Sequence, residues 1–542
     1  MAATPLAPPH PPVAASADAR RAETLNVLCL AATIVIAAFM AWITRDAVNP
    51  DGVAYLDLAR AVRDGKWSAF VQGYWSPLYP LVLAVVGATI ATAHLANGAL
   101  AIAGGWLLSR TLRRYLTAVP DDGGHVVRVS AAWCTYVVAA FVLVRISAIT
   151  PDMALLLCLV GWAGELTNPR GVRWMAAGAW LGVGFLAKTS LWPWMLVGTV
   201  VVAWGHPALR SRAAVVRYLV PMLVGVLAWL VPLSVREGRP TLGVTGALNA
   251  CWFLRECDGQ SPDVHLGSHV AYEEVVLPRG EAVTRVRFPD ATWTYAPWSD
   301  PDGWSRGVRS QSSEPLTVGR YAGIVWKNLR SAVLFSLSYL LLGPALVLLA
   351  WGLLARVPLR PLARWTNAAL LLAGLAGIAQ FVAVQAVTRT LAPFVLACGV
   401  AITLGARPAA GRRAVAGTWR VVLTTLPLVI ALVATARVVR YEWQLAALSD
   451  PYRDEMRTLS ERASDGFKAR TVMAVGPGIV LMPLAAQLGA RIVSQVPTRH
   501  VSQLDVLSPA DRRAALIELA DSTADVAWEV DRRGRSRVTG LR

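Results

Sequence analysis

Charge is scarce in this chain, and acid is scarcer than base. Asp, Glu, Lys and Arg supply only 16% of the 542 residues, against 55% hydrophobic residues. That balance excludes a soluble multidomain enzyme and leaves a polytopic membrane protein. The 34 acidic residues face 52 Lys and Arg, a formal net charge of +18. In a soluble protein such a surplus would suggest nucleic acid, but here the basic residues mostly fall in short loops between apolar runs, where they carry topological information instead. Cysteine is also sparse. Cys29, Cys134, Cys158 and Cys398 lie in apolar runs and read as small buried hydrophobes. Only Cys251 and Cys257 share a polar loop, where a disulfide and two unpaired thiols fit the spacing equally well. No set of His, Cys and acidic residues has convincing metal-ligand spacing. No internal repeat stands out beyond an N-terminal Pro/Ala tract.

What is abundant is long apolar runs. Leu25 to Thr44 is long enough to cross a bilayer, and no small-x-small cleavage site follows it, so an uncleaved anchor with a cytoplasmic N-terminus is expected. Further runs near 92–110, 129–147, 151–167, 174–189, 190–205, 216–235, 331–354, 366–387, 388–406 and 417–436 bring the total to about eleven spans. Pro77 to Ile90 is apolar but short, and whether it crosses sets the side of every later loop. If it does not cross, the cytoplasmic loops collect Arg110, Arg113, Arg114 and Arg128, then Arg170 and Arg173, Arg210 to Arg217, Arg356 to Arg364 and Arg407 to Arg420. This parity satisfies the positive-inside rule.

The expected organisation is a mainly α membrane protein: a disordered cytoplasmic segment over 1–24, a transmembrane domain over 25–436 and a small α/β domain over 437–542. The membrane domain includes a first outer loop at 45–91 with interfacial helices and a large outer loop at 236–327. That large loop carries Trp252, Trp293, Trp298, Trp304 and Trp326, suited to anchoring at the interface or, less favoured, to stacking on sugars. In the C-terminal part, strands are expected at Thr471, Arg491 and Val526, with helices over Gly478 to Leu488 and Pro509 to Asp521.

The residues able to carry chemistry sit at the outer ends of spans. Asn49 and Pro50 are suited to start a helix, placing Asp51 in its first turn and Tyr55 one turn further on the same face. A helix N-terminus keeps a carboxylate ionised, so Asp51 could orient or deprotonate a hydroxyl, or merely stabilise its own helix. Asp46 is a nearby competitor, while Asp57 and Asp64 read as solvated helix-face charges. Asp152 starts the helix after Thr150-Pro151 and has the same two explanations. Arg145, Lys188 and Arg389 lie at the same rim, against the charge trend of the outer loops. Three cations near two acids suggest a site for an anion such as a lipid phosphate.

The order of these features resembles the GT-C glycosyltransferases, membrane enzymes that use polyprenyl-phosphate sugars and include the protein O-mannosyltransferases and the lipid A aminoarabinose transferase. The resemblance rests on Asp51-Gly52-Val53-Ala54-Tyr55, Gly73-Tyr74-Trp75-Ser76-Pro77-Leu78-Tyr79-Pro80, Asp152-Met153-Ala154-Leu155, Gly184-Phe185-Leu186-Ala187-Lys188 and Thr388-Arg389-Thr390-Leu391-Ala392-Pro393, and covers most of residues 25–436. The family often has Asp-Glu where this chain has Asp51-Gly52, and often a His or Lys before the proline of the aromatic segment. The resemblance implies an inverting sugar transfer to a hydroxyl on a glycan, lipid or protein at the extracytoplasmic face. Asp51 would serve as base, Asp152 as an orienting acid, and Lys188, Arg389 and Arg145 would stabilise the departing phosphate, with Tyr55 and Tyr79 at the substrate. No cofactor is firmly implied, a divalent cation stays an open option, and no nucleic acid partner is expected. The alternatives from other classes are a transporter or lipid flippase, expected to show repeats and midplane charges, and a non-catalytic scaffold; a closer one is a ligase of whole lipid-linked glycans.

Overall fold

The computed structural model describes residues 16–119, 124–169, 171–205, 211–255, 272–277, 282–288, 292–302, 316–334, 359–360, 365–405, 407–408, 417–448, 471–475, 478–488, 490–496, 504, 507–520, 524–530 and 536–540. Most of the segment expected to be disordered, most of the 331–354 span, Trp304 and Cys257 lie outside them.

The first half is helical: α1 (Ala17–Ile43), α2 (Pro50–Arg63), α3 (Trp67–Phe70), α4 (Leu78–Val86), α5 (Ile90–Ala118) and α6 (His125–Val137), which runs on as a π-helix over Val138–Val144. It continues with α7 (Asp152–Leu166), α8 (Trp174–Ala187), α9 (Trp192–Gly205), α10 (Arg212–Glu237) and α11 (Thr245–Ala250). After strands β1 (Tyr272–Val276) and β2 (Ala282–Arg287) come α12 (Ala296–Ser299), α13 (Val318–Ala332), α14 (Trp365–Val382), α15 (Thr388–Gly405) and α16 (Gly417–Leu448), with a short β3–β4 ladder pairing Leu359–Arg360 with Arg407–Pro408. The chain ends with β5 (Thr471–Val475), α17 (Gly478–Leu488), β6 (Arg491–Val496), α18 (Pro509–Ala520), β7 (Val526–Val530) and β8 (Ser536–Gly540).

Six helical segments among the described residues are long and apolar enough to cross a membrane, and three shorter apolar helices accompany them. Burial separates their places. The apolar windows of His125–Val144 and Thr388–Gly405 are 83% buried, against 22% for Arg212–Glu237, so the first two run through the centre and the third lies on the flank. One polar cluster inside the bundle is satisfied internally, as a bilayer favours: Asn26 on α1 donates to Ser109 Oγ on α5 at 2.9 Å and accepts from Trp133 Nε1 on α6 at 2.9 Å. Gly182 and Gly225 let α8 and α10 touch backbone to backbone, since a Cβ on Gly225 would stand 2.6 Å from the Gly182 Cα.

The ambiguous Pro77 to Ile90 run becomes α4, nine residues long. At about 13 Å it cannot span a hydrocarbon core of about 30 Å. Gly87 and Ala88, both at positive φ, then turn the chain into α5.

The three strands and two helices expected after residue 470 are present, but the sheet is larger than the C-terminal segment. Its order is β1-β2-β6-β5-β7-β8. The β5 strand pairs parallel to β6 and β7, whereas β2 joins β6 antiparallel. Two strands of the 236–327 segment therefore complete a sheet begun some 180 residues later, and the two polar parts share one structure. Interface anchoring also fits only part of the tryptophan set. Trp326 is exposed, but Trp293 is buried, and Trp252 and Trp298 stack on each other. Four cysteines are free thiols, as their apolar surroundings suggest. Cys251 is disulfide-bonded.

Candidate active site

Asp51 stands in the first turn of α2, where the helix terminus favours its charge. Asn49 occupies the cap position but makes no side-chain cap bond. Its Oδ1 accepts from Ile149 N at 2.9 Å, so the residue expected to cap one acidic helix instead ties it to the loop before the other. Gly52 makes that approach feasible. A Cβ there would lie 2.7 Å from Ile149 Cβ and 2.9 Å from Asn49 Oδ1, so this close approach requires glycine.

Asp152 begins α7, Lys188 follows the last residue of α8, and Arg389 is the second residue of α15. The fold brings all three to Asp51. Arg389 donates from Nη2 to Asp51 Oδ2 at 2.5 Å, and its Nε lies 3.5 Å from Asp152 Oδ2. Lys188 Nζ is paired with Asp152 Oδ1. Arg389 thus bridges the two carboxylates, and the dipoles of α2 and α7 favour both anions while the C-terminus of α8 favours Lys188. The members differ in access: the Asp152 side chain is 1% exposed, against 18% for Asp51 and 31% for Arg389.

A second ring of contacts holds the turns in register. Asn97 donates to the carbonyls of Ile146 and Ala148 and accepts from Tyr79 Oη at 2.8 Å. His94 lies between the carbonyls of Ala47, 2.7 Å from Nε2, and Ile146, 3.1 Å from Nδ1. Together α5 and α4 clamp the loop that delivers Asp152 and the segment that leads to Asp51. Ser76 Oγ accepts from Thr189 N at 2.9 Å, tying the aromatic-proline segment to the Lys188 turn. Tyr55 packs edge-on against Trp75 and Tyr79, at centroid distances of 4.9 and 5.3 Å. Burial first, then the negative charges of Asp51 and Asp152, push its phenol well above its ordinary range, so it stays protonated beside the acids. Tyr74 is raised by the same order of causes, burial and then Asp51.

Three acids and one cation of the sequence set lie elsewhere. Arg145 faces Glu442, 3.4 Å away, and Ser147 Oγ donates to the same carboxylate at 2.7 Å. Asp46 is exposed beside Arg45. Asp57, expected on a solvated face, is buried; it accepts from Thr294 N and Oγ1, both at 2.8 Å, and from Ser299 Oγ at 2.7 Å, and pairs with Arg60. The loop before α12 covers it, and burial raises its carboxyl pKa against the pull of Arg60 and these hydrogen bonds. Asp64 remains exposed at the end of α2.

With Arg145 engaged by Glu442, the cluster holds two acids and two cations. The cluster therefore carries no surplus of positive charge, and an anion bound there would have to compete with the carboxylates for Arg389 and Lys188. Among the described residues no group of three or more His, Cys, Asp or Glu is placed to hold a metal ion. His94, Asn97 and Asn49 carry no signal of their role in the sequence beyond being polar beside apolar runs. Each acts on a loop that only the tertiary fold supplies.

In a comparison with solved structures, the chain resembles in fold the crystal structure of ArnT from Cupriavidus metallidurans bound to undecaprenyl phosphate, with a TM-score of 0.55 and 12% identity over 93% of this chain and 92% of that one. The likeness shows a shared fold along nearly the whole length of both chains. No family model and no curated protein matches the chain.

Proposed function

We propose that this protein is a membrane glycosyltransferase that moves a sugar from a polyprenyl-phosphate donor to a hydroxyl acceptor, with inversion at the anomeric carbon. The carrying observation is the rim cluster in which Arg389 bridges Asp51 and Asp152 while Lys188 backs Asp152. Its composition matches the needs of the transfer. The acceptor oxygen forms a bond to the anomeric carbon, the bond from that carbon to phosphate oxygen breaks, and the electron pair leaves on the polyprenyl phosphate. The acceptor proton passes to Asp51. Lys188 and Arg389 oppose the charge that grows on the departing phosphate, an interaction worth most in the transition state. A phosphate entering beside Arg389 competes with Asp51 for its guanidinium. Asp152, buried and doubly paired, holds both cations in place and orients hydroxyls of sugar or acceptor.

One accessible carboxylate beside one buried one suits a single displacement, hence inversion. The fold neighbour's crystal with undecaprenyl phosphate supports a donor of that lipid class. The proposed setting is the inner or plasma membrane, with the N-terminus cytoplasmic and the shared sheet outside. A transporter or flippase would place its ionisable groups near the bilayer midplane. Here they stand at helix ends: the second residue of α2, the first of α7, the residue after α8 and the second of α15.

The test uses sealed membrane vesicles bearing the protein, charged with labelled polyprenyl-phosphate sugars and envelope acceptors. Sugar transfer predicts free polyprenyl phosphate released in step with labelled acceptor. Donor that changes leaflet with no release of polyprenyl phosphate would contradict it and support the flippase.

A further inference from the structure

A groove of ≈ 390 Å³ opens on the bundle flank between the π-helix Val138–Val144 and α16. Val142 lines one wall and Ile430, Ala434 and Val438 the other, with Arg437 and Tyr441 at one end. The α16 residues recur every four positions, so they form one stripe along a single helix face. From residue 429 to 441 that stripe runs about 18 Å, apolar for most of its length and basic at its mouth.

The mouth lies at the same rim as the acidic cluster. Glu442, adjacent to Tyr441, receives Ser147 and faces Arg145, and residues 146–151 then lead into Asp152. The π-helical turn is a rare geometry that recurs at functional sites. It ends at Arg145, a non-glycine residue with φ of 66°. The sugar-transfer reading uses neither feature. Among the described residues no carboxylate pairs with Arg437, which is exposed.

We propose that this groove holds one acyl chain of an anionic phospholipid, whose phosphate lies against Arg437 and the Tyr441 hydroxyl. Charge complementarity selects that occupant: a cation at the mouth of an apolar groove in a bilayer is costly without an anion, and a lipid phosphate supplies one by a charge-assisted hydrogen bond. The polyprenyl donor is the poorer fit. Its phosphate has its own cations, Lys188 and Arg389, on the far side of the π-helix, where Thr388 Oγ1 lies 3.5 Å from Leu143 O. A chain in the groove packs against Val142 and steadies the π-helix, and through Arg145 and Glu442 the loop that presents Asp152.

The experiment is native mass spectrometry of the full chain released from nanodiscs of phosphatidylcholine doped with phosphatidylglycerol. Wild type retains phosphatidylglycerol in preference. Arg437→Gln lowers that retention about fivefold, the contribution of one basic residue at a membrane surface. Val433→Trp fills the groove and lowers retention of both lipids, whereas Leu432→Trp, on the exposed neighbouring face, lowers neither. Thermal melts confirm that each variant is folded. Equal phosphatidylglycerol retention by wild type and Arg437→Gln overturns the proposal. So does displacement of phosphatidylglycerol by added polyprenyl phosphate in wild type but not in Val433→Trp, which would make the groove the donor's channel.

Discussion

At the scale of the residue, the site depends on how four charges share their partners. Arg389 serves two carboxylates at once, and that sharing depends on Ile149 coming within reach of Asn49 and Gly52. Gly52→Glu forces a Cβ into Ile149 and separates the two acidic helix starts. Activity is expected to fall at least ~100-fold, because about 1 Å of misplacement can cost that much, while α2 still forms. Circular dichroism beside a transfer assay checks both halves of this expectation. Asp51, Asp152, Lys188 and Arg389 were legible in the sequence because each interrupts the end of an apolar run, where a charge is costly without a purpose. Arg145 sends the same signal, yet its carboxylate partner Glu442 is 297 residues further on, and no local pattern links them. Asp57 shows the converse failure: on α2 it has the spacing of a solvated charge, and only the loop from Thr294 to Ser299 buries it.

At the scale of the element, α2 is the part that must be held. It carries Asp51 at one end and Asp57 in its middle, and the Asp57 carboxylate fastens it to the segment before and within α12. The same segment continues onto the six-stranded sheet, with Ile492 N donating to Thr294 O at 2.9 Å and Tyr295 Oη to Gln495 Oε1 at 2.9 Å. Asp57→Ala strands three donors in a buried site and is expected to destabilise the protein by about 3 kcal/mol. Asp64→Ala, exposed on the same helix, should change stability by less than about 0.5 kcal/mol. Denaturation followed by tryptophan fluorescence compares them. Short α4 was legible only as an ambiguity. Its apolar residues look like those of a crossing helix, and the turn at Gly87 and Ala88 that ends it is a backbone property that composition does not reveal.

At the scale of the whole molecule, the helices set one rim and the sheet sits over it. The helical bundle and the α/β alternation after residue 470 were readable from apolar runs and from strand and helix alternation. The pairing of β2 with β6 was not, because two edge residues on each strand make the join. The proposed sidedness predicts that cysteines introduced at Asp64 and Ser508 react with an impermeant maleimide on intact cells, while one at Arg212 reacts only after permeabilisation. Labelling of Arg212→Cys alone would invert the topology and with it the face of the reaction, and labelling of all three in intact cells would contradict the separation of these sites by a membrane. The central claim is that Asp51 is the base of a sugar transfer from a polyprenyl phosphate. Its most direct test is mass spectrometry of lipid-linked sugars and envelope glycans from cells with the native protein, with none, and with Asp51→Asn at matched expression. The account predicts that Asp51→Asn reproduces the null, with one sugar lost from a glycan while its polyprenyl-phosphate donor persists. A glycan profile indistinguishable from that of the native protein would reduce Asp51 to a helix start and contradict it.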